Sequence, residues 1–220
     1  MKRETLEALN HARRERRAVA VVTNTRTGEA KVVARAEAVS GSDLDKAFRF
    51  DKSVMVGDEF IAIHNPPLRL IIIGAVLIAQ ALIPVAQTCG YDITVIDPRG
   101  AFATGARFPN TTLVTEWPQD VLPTLILDAR TACVALTHDP KIDDPALQLA
   151  LRSQVFYIGA LGSKKSHTAR LERLTKAGFS DPDKARIAGP IGLNIGAVGA
   201  AEIAISILAQ LTQSLRLGHL

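Results

Sequence analysis

The residues best suited to chemistry fall in four short stretches, each following an apolar run. The first is Gly74-Ala75-Val76-Leu77-Ile78-Ala79. Its first glycine and closing small residue match the GxGxxG/A turn that sets a pyrophosphate on a helix N-terminus. Val76, however, stands where the middle glycine lets the backbone approach the phosphates. Amides there could hold an anion at longer reach, or the turn could serve packing alone. The second stretch is Asp97-Pro98-Arg99. Asp97 lies about 20 residues past the turn, where an acid binds a ribose hydroxyl, and Arg99 adds a cation for a phosphate. The third, Thr137-His138-Asp139, offers groups for proton transfer or metal ligation. A metal held by His138, Asp139 and Asp143 would lack a second His at ligand spacing. Asp144-Pro145 reads as a helix N-cap and first helical residue. The fourth, Gly159-Ala160-Leu161-Gly162-Ser163-Lys164-Lys165, joins glycines, a hydroxyl and two lysines at a helix start, which favours an anion. The GxxxxGK[ST] spacing of a P-loop is absent. A glycine-rich loop, Gly189-Pro190-Ile191-Gly192-Leu193-Asn194-Ile195-Gly196, reads as a pocket wall before the last helix.

These stretches can meet only if the strands before them end side by side. Strands are expected at Leu70–Ile73, Asp92–Ile96, Thr112–Thr115, Ala132–Leu136 and Val155–Ile158, and helices near 77–88, 145–152, 165–177 and 200–216. Most of the strands are apolar throughout, as in sheets covered by helices on both faces. The strand–helix alternation predicts an α/β fold with a doubly wound parallel sheet, whose ligands bind beyond the carboxyl ends of the strands. Upstream, residues 2–16 read as a helix with Leu6 and Leu9 on one face. Ala18–Thr23 and Ala30–Ala34 read as a hairpin, Ser42-Asp43 caps a short helix to about Phe50, and Glu59–His64 is a strand. Asn65-Pro66-Pro67 then breaks the pattern. The expected organisation is a small α+β domain over 1–65 and the parallel-sheet domain over 66–220.

Composition narrows the functional classes. The chain has 220 residues, 47% of them hydrophobic, which suits a packed core and excludes disorder as the main feature. Its net charge is 26 − 22 = +4, with 5% aromatic residues and no basic stripe interleaved with stacking rings, so no nucleic-acid partner is implied. Leu68–Ala86 is as long as a bilayer span but contains Arg69, Gly74, Gln80 and Pro84; strand, turn and helix account for it without a membrane. The basic run Arg13–Arg17 precedes only a short apolar segment and does not read as an export signal. Cys89 and Cys133 form neither a CxxC pair nor a His-flanked site, which fits a reducing cytoplasm. Ser163 lacks the G-x-S-x-G elbow, and no carboxylate pair is set for glycoside work. The residues describe a pocket for a phosphate-bearing heteroaromatic ligand better than a catalyst.

Taken in order, several segments resemble one family. They are Pro66–Leu70, Gly74–Leu82, Val95–Arg99, Ala101-Phe102-Ala103 with Arg107-Phe108-Pro109, Leu136–Asp139, Tyr157–Lys164, Pro190–Leu193 and Glu202–Ile207. Together they are similar to the xanthine dehydrogenase accessory family (XdhC/CoxI) across 66–220. The resemblance implies a Rossmann-like domain in a maturation factor for molybdenum hydroxylases. Such a protein binds the molybdenum cofactor (molybdopterin, in mononucleotide or dinucleotide form), protects it during sulfuration by a cysteine desulfurase and delivers it to the apo-enzyme. It would act as a homodimer and without turnover of its own. The residues expected around the cofactor are Gly74, Ala75, Val76, Ile78, Asp97, Arg99, Thr137, His138, Asp139, Gly159, Gly162, Ser163, Lys164, Pro190 and Gly192. Many members carry Gly and His where this chain has Val76 and Leu77, so a His contact there is not carried over. Two other readings stay open: an NAD(P)-binding oxidoreductase, favoured by the turn and Asp97, and a non-catalytic Rossmann scaffold, favoured by Val76 and Leu77.

Overall fold

The computed structural model describes residues 2–218, and internal contacts divide the chain into two compact units between Pro66 and Pro67. In the first unit, helix α1 (Arg3–Arg14) buries Thr5, Leu9 and Ala12 at i, i+4 and i+7. Leu6, expected on that face, is exposed. Strands β1 (Val19–Asn24) and β2 (Ala30–Ala34) form an antiparallel hairpin. Asn24 shapes its turn, the Oδ1 atom accepting from the amides of Arg26 and Thr27 at 2.9 Å each. Helix α2 (Asp43–Phe50) begins at Ser42, whose Oγ accepts from the Asp45 amide at 3.1 Å. Strands β3 (Val54–Val56) and β4 (Glu59–His64) complete a sheet of order β2-β1-β4-β3. β3 is an addition to the sequence reading; three residues carry no period to detect. α1 covers Val19 and Val21 on one sheet face, and Phe48 of α2 covers Ala20, Val22 and Ile61 on the other.

The second unit holds β5 (Leu68–Ile73), α3 (Leu77–Thr88), β6 (Tyr91–Ile96), β7 (Thr112–Val114), α4 (Pro118–Val121), β8 (Thr131–Ala135), α5 (Pro140–Leu151), β9 (Tyr157–Ala160), α6 (Lys164–Lys176), α7 (Asp181–Ala185), β10 (Ile187–Ala188) and α8 (Ala200–Leu217). Its six strands are all parallel, in the order β7-β6-β5-β8-β9-β10. Counted from β5 this is 3-2-1-4-5-6, the Rossmann order, with its crevice between the ends of β5 and β8.

The continuous apolar runs follow from this layering. Along β5, Leu70 and Ile72 pack with Ala79, Leu82, Ile207 and Leu211 from α3 and α8. Ile71 and Ile73 pack with Ile142, Ala146, Leu147 and Ala150 of α5 on the opposite face. Successive side chains point to opposite faces, so a strand covered twice has no polar positions to alternate. Cys133 in β8 belongs to this core, and burial pushes its thiol up to about 12. Among the described residues, no helix is long and apolar enough to cross a membrane.

Three further differences from the sequence reading have local causes. α5 starts five residues earlier than Pro145, because Asp139, not Asp144, is its N-cap and accepts from the Lys141 amide at 2.9 Å. Pro145 lies inside that helix, and Asp144 is ion-paired to Arg173 of α6. β9 runs two residues later than expected, since Ala160 still pairs with Ala135 of β8. The short elements α4, α7 and β10 fall below the length at which periodicity is readable.

Ile72 is fully buried at the centre of the sheet. Ile72→Ala is expected to lower unfolding stability by about 2–5 kcal/mol, measured as a reduced urea midpoint with unchanged slope.

Candidate functional site

Asp97 follows β6 directly and is completely buried. Its Oδ2 accepts from the Ala75 amide at 2.8 Å and from Arg99 Nη2 at 2.8 Å. Its Oδ1 accepts from the Arg99 amide at 3.0 Å and from Arg99 Nε at 2.9 Å. Burial would raise this carboxyl, but the bonds from Arg99 and Ala75 outweigh it and hold it below the usual carboxylate range. The same ion pair raises the Arg99 guanidinium above its ordinary value. The carboxylate expected at a ribose hydroxyl is thus enclosed and fully engaged.

The turn after β5 is equally constrained. Gly74 has φ +115°, and a Cβ there would lie 2.7 Å from Thr137 Cγ2, so the ends of β5 and β8 approach only over a glycine. The amide of Ala75 points at Asp97, and Val76 serves as N-cap of α3 without a side-chain cap.

At the end of β8, buried Asp143 reaches back from α5. Its Oδ1 accepts from the Thr137 hydroxyl at 2.6 Å and amide at 3.3 Å, and its Oδ2 from the His138 amide at 3.1 Å. Burial pushes the Asp143 carboxyl up, against the pull of Thr137, Arg170 and the His138 amide. These bonds keep His138 at φ +63°, a left-handed conformation that a non-glycine residue adopts only when its surroundings impose it. Asp139 is thus engaged by the Lys141 amide and Asp143 by Thr137 and the His138 amide, and among the described residues no group of three His, Cys, Asp or Glu side chains is placed to hold a metal ion.

These loops and the start of α8 border an open cavity of about 480 Å³, lined by Ala75, Val76, Leu77, Ile78, Arg99, Phe102, Arg107, Leu136, Thr137, His138, Leu161, Ala200 and Ile203. Its size is that of a small-ligand site, and it lies at the crevice of the sheet. Ala75, Val76, Ile78, Arg99, Thr137 and His138 of the expected set line it. Gly74, Asp97 and Asp139 shape its rim from behind. The remainder are elsewhere. Gly159 is a packing position, where a Cβ would lie 2.4 Å from Ile191 Cδ1. Gly162 has φ +141°, and Ser163 caps α6 by accepting from the Ser166 amide at 3.2 Å. Lys164 is exposed at the start of α6, and Pro190 is exposed after a cis peptide bond. The Gly192 amide donates to Gln210 Oε1 at 2.8 Å, which fastens its loop to α8. Only Leu161 of the fourth stretch reaches the cavity, its carbonyl held by Arg170 Nη2 at 2.8 Å.

Phe102 and Arg107 are wall residues that the reading of strand ends missed, because they lie in the long connection after β6. Their signal was present in the paired segments around Phe102 and Arg107, which carried no fingerprint of their own. The wall is mostly apolar with two guanidiniums and an imidazole and no carboxylate. That donor set fits a flat ring bearing an anionic group.

Each Asp97 oxygen accepts two bonds, so Asp97→Asn removes one charge and two of the four accepted bonds, and a stability loss of about 1–3 kcal/mol is expected. Asp97 titrates below its unfolded value, so its contribution is full above that value and is lost as pH falls through the folded one. Denaturation series from pH about 7 to about 3 should show a smaller acid-side loss in Asp97→Asn than in the parent, with the remainder coming from carboxyls such as Asp183 that are also held below their usual range.

The pattern of the XdhC Rossmann domain matches residues 70–211. PaoD of Escherichia coli, named a molybdenum cofactor insertion chaperone, is 34% identical over 146 residues, covering 66% of this chain and 40% of its own. A Bacillus subtilis protein named as a probable subunit of xanthine dehydrogenase is 33% identical over 156 residues, covering 70% of this chain and 45% of its own. The chain thus spans less than half the length of these two curated relatives. A crystal structure from Bacillus halodurans, described as a xanthine dehydrogenase, superposes with a TM-score of 0.71 at 28% identity, over 98% of this chain and 67% of that one. With the family pattern matching most of the second unit, on a sheet of Rossmann order, the chain belongs to the XdhC Rossmann-domain family.

Proposed function

We propose that the chain is a maturation factor for molybdenum hydroxylases, which holds the molybdenum cofactor in the strand-end cavity and delivers it to an apo-enzyme of the xanthine dehydrogenase type. The observation that carries this reading is the character of the cavity: a largely apolar hollow with Arg99 and Arg107 in its wall and the neighbouring acid withdrawn. A pterin needs a flat apolar slot, and its phosphate needs a cation that does not lose its charge. Arg99 Nε and Nη2 are taken by Asp97, which leaves Nη1 without a partner among the described residues and available to an anion. His138 and Thr137 supply the polar groups of the opposite rim.

The geometry is less suited to NAD(P). The Ala75 amide is committed to Asp97, Val76 replaces the close-approach glycine, and Asp97 has no oxygen left for a ribose diol. In this reading the cofactor is cargo, sulfurated by a cysteine desulfurase while bound. The working form is a homodimer in the cytoplasm. An apolar groove beside α3 and α8, lined by Val85, Leu208 and Leu217 among others, offers a face to a second copy, and both cysteines are unbridged.

The test is to purify the protein from cells that make the cofactor, denature it, oxidise the extract and measure pterin fluorescence. Bound pterin is expected. Tight NADH or NADPH binding without pterin would overturn the reading in favour of an oxidoreductase, and neither ligand would favour a scaffold. Arg99→Ala should reduce pterin retention by about 10–100-fold and, because it strips the buried Asp97 of two of its four donors, should also lower the urea midpoint.

A further inference from the structure

The connection between β6 and β7 is tied down along its length. At its start, Asp97 grips Arg99. Further on, Arg107 and Gln80 of α3 bind each other reciprocally: Arg107 Nη2 donates to Gln80 Oε1 at 3.1 Å, and Gln80 Nε2 donates to the Arg107 carbonyl at 3.1 Å. Arg107 Nη1 also donates to the Phe102 carbonyl at 2.7 Å, and Gln87 of α3 donates to the Asn110 carbonyl at 3.2 Å. Ala103 and Phe108 are buried in the core of the unit.

Phe102 alone among these apolar residues is left out of the core. It is 47% exposed and lines the cavity, with the Arg99 guanidinium 4.9 Å from its ring centroid. A phenyl ring held by a fixed backbone, with a guanidinium against it, is a preorganised surface for another flat ring. The burial it forgoes would be recovered on covering that surface. The same guanidinium keeps Nη1 for an anion, so ring and anion contacts converge on one corner of the cavity.

We infer that Phe102 is the ring-reading residue of this site: a planar heteroaromatic ring stacks on its phenyl group while the ligand's phosphate meets Arg99. The inference rests on the proposed cofactor-holding function and adds the residue that selects an aromatic ligand over a plain phosphate ester. The Gln80–Arg107 pair positions Phe102 through the carbonyl of that residue.

The test compares wild-type protein, Phe102→Leu and Phe102→Tyr, each purified from cofactor-producing cells. Pterin fluorescence per chain is read after denaturation and oxidation, and thermal unfolding is followed in parallel. Loss of a single ring stack predicts about tenfold less pterin in Phe102→Leu, with Phe102→Tyr within about twofold of wild type because its ring face is kept. Wild-type protein carrying pterin together with an undiminished Phe102→Leu variant would overturn the role of Phe102 and leave the cofactor reading standing. A Tyr variant that loses pterin as Leu does would overturn stacking in the same way. Wild-type protein without pterin would overturn both. Because the side chain is half-exposed, unchanged melting of all three proteins is expected, and a Leu variant that melts early leaves the Tyr variant to decide.

Discussion

Both oxygens of the buried Asp97 carboxylate are engaged, and the geometry of the strand-end cavity depends on where they point. One bond holds the first amide after Gly74, and three hold the backbone and guanidinium of Arg99. A buried carboxylate is tolerable only with this many donors around it. The arrangement therefore fixes two loops at once: the β5–α3 turn and the start of the β6–β7 connection. It also orients Arg99 so that part of its guanidinium faces the cavity while the negative charge stays behind the wall.

Asp143 does the same work on the other side of the crevice. From α5 it binds Thr137 and His138, and so holds a left-handed residue at the cavity rim. Two acids that resemble binding residues in the sequence thus hold the surrounding loops, and the groups left facing the cavity are two guanidiniums, the Thr137 and His138 side chains and apolar residues. A dinucleotide site uses the same strand positions in the opposite manner, with the acid turned outward and the amides free for phosphate. The Rossmann order is retained here while the chemistry at its crevice is altered, as fold and site are separable.

The layered sheet and its parallel sense were legible because they are repeated signals: apolar runs of strand length with helical periods between them. The site was legible only in part. Residues directly after β5, β6 and β8 do line or shape the cavity, since chain order places strand ends at the crevice. The glycine-and-lysine stretch from 159 to 165 looked like an anion loop, yet its glycines answer to Ile191 and Ser166 and its serine to the α6 amides. Phe102 and Arg107 stand in two of the family-like segments but outside the expected site set, because a long connection has no period to say which of its side chains turn inward.

The sequence by itself determined the longer strands and helices and that the sheet is covered on both faces, because these depend on local periodicity and on the hydrophobic identity of each position. Only the tertiary structure decided that Asp97 and Asp143 turn inward and that Phe102 stays on the cavity wall. Those outcomes depend on which donors lie within hydrogen-bond reach once distant strand ends are brought together, and no spacing along the chain encodes that distance.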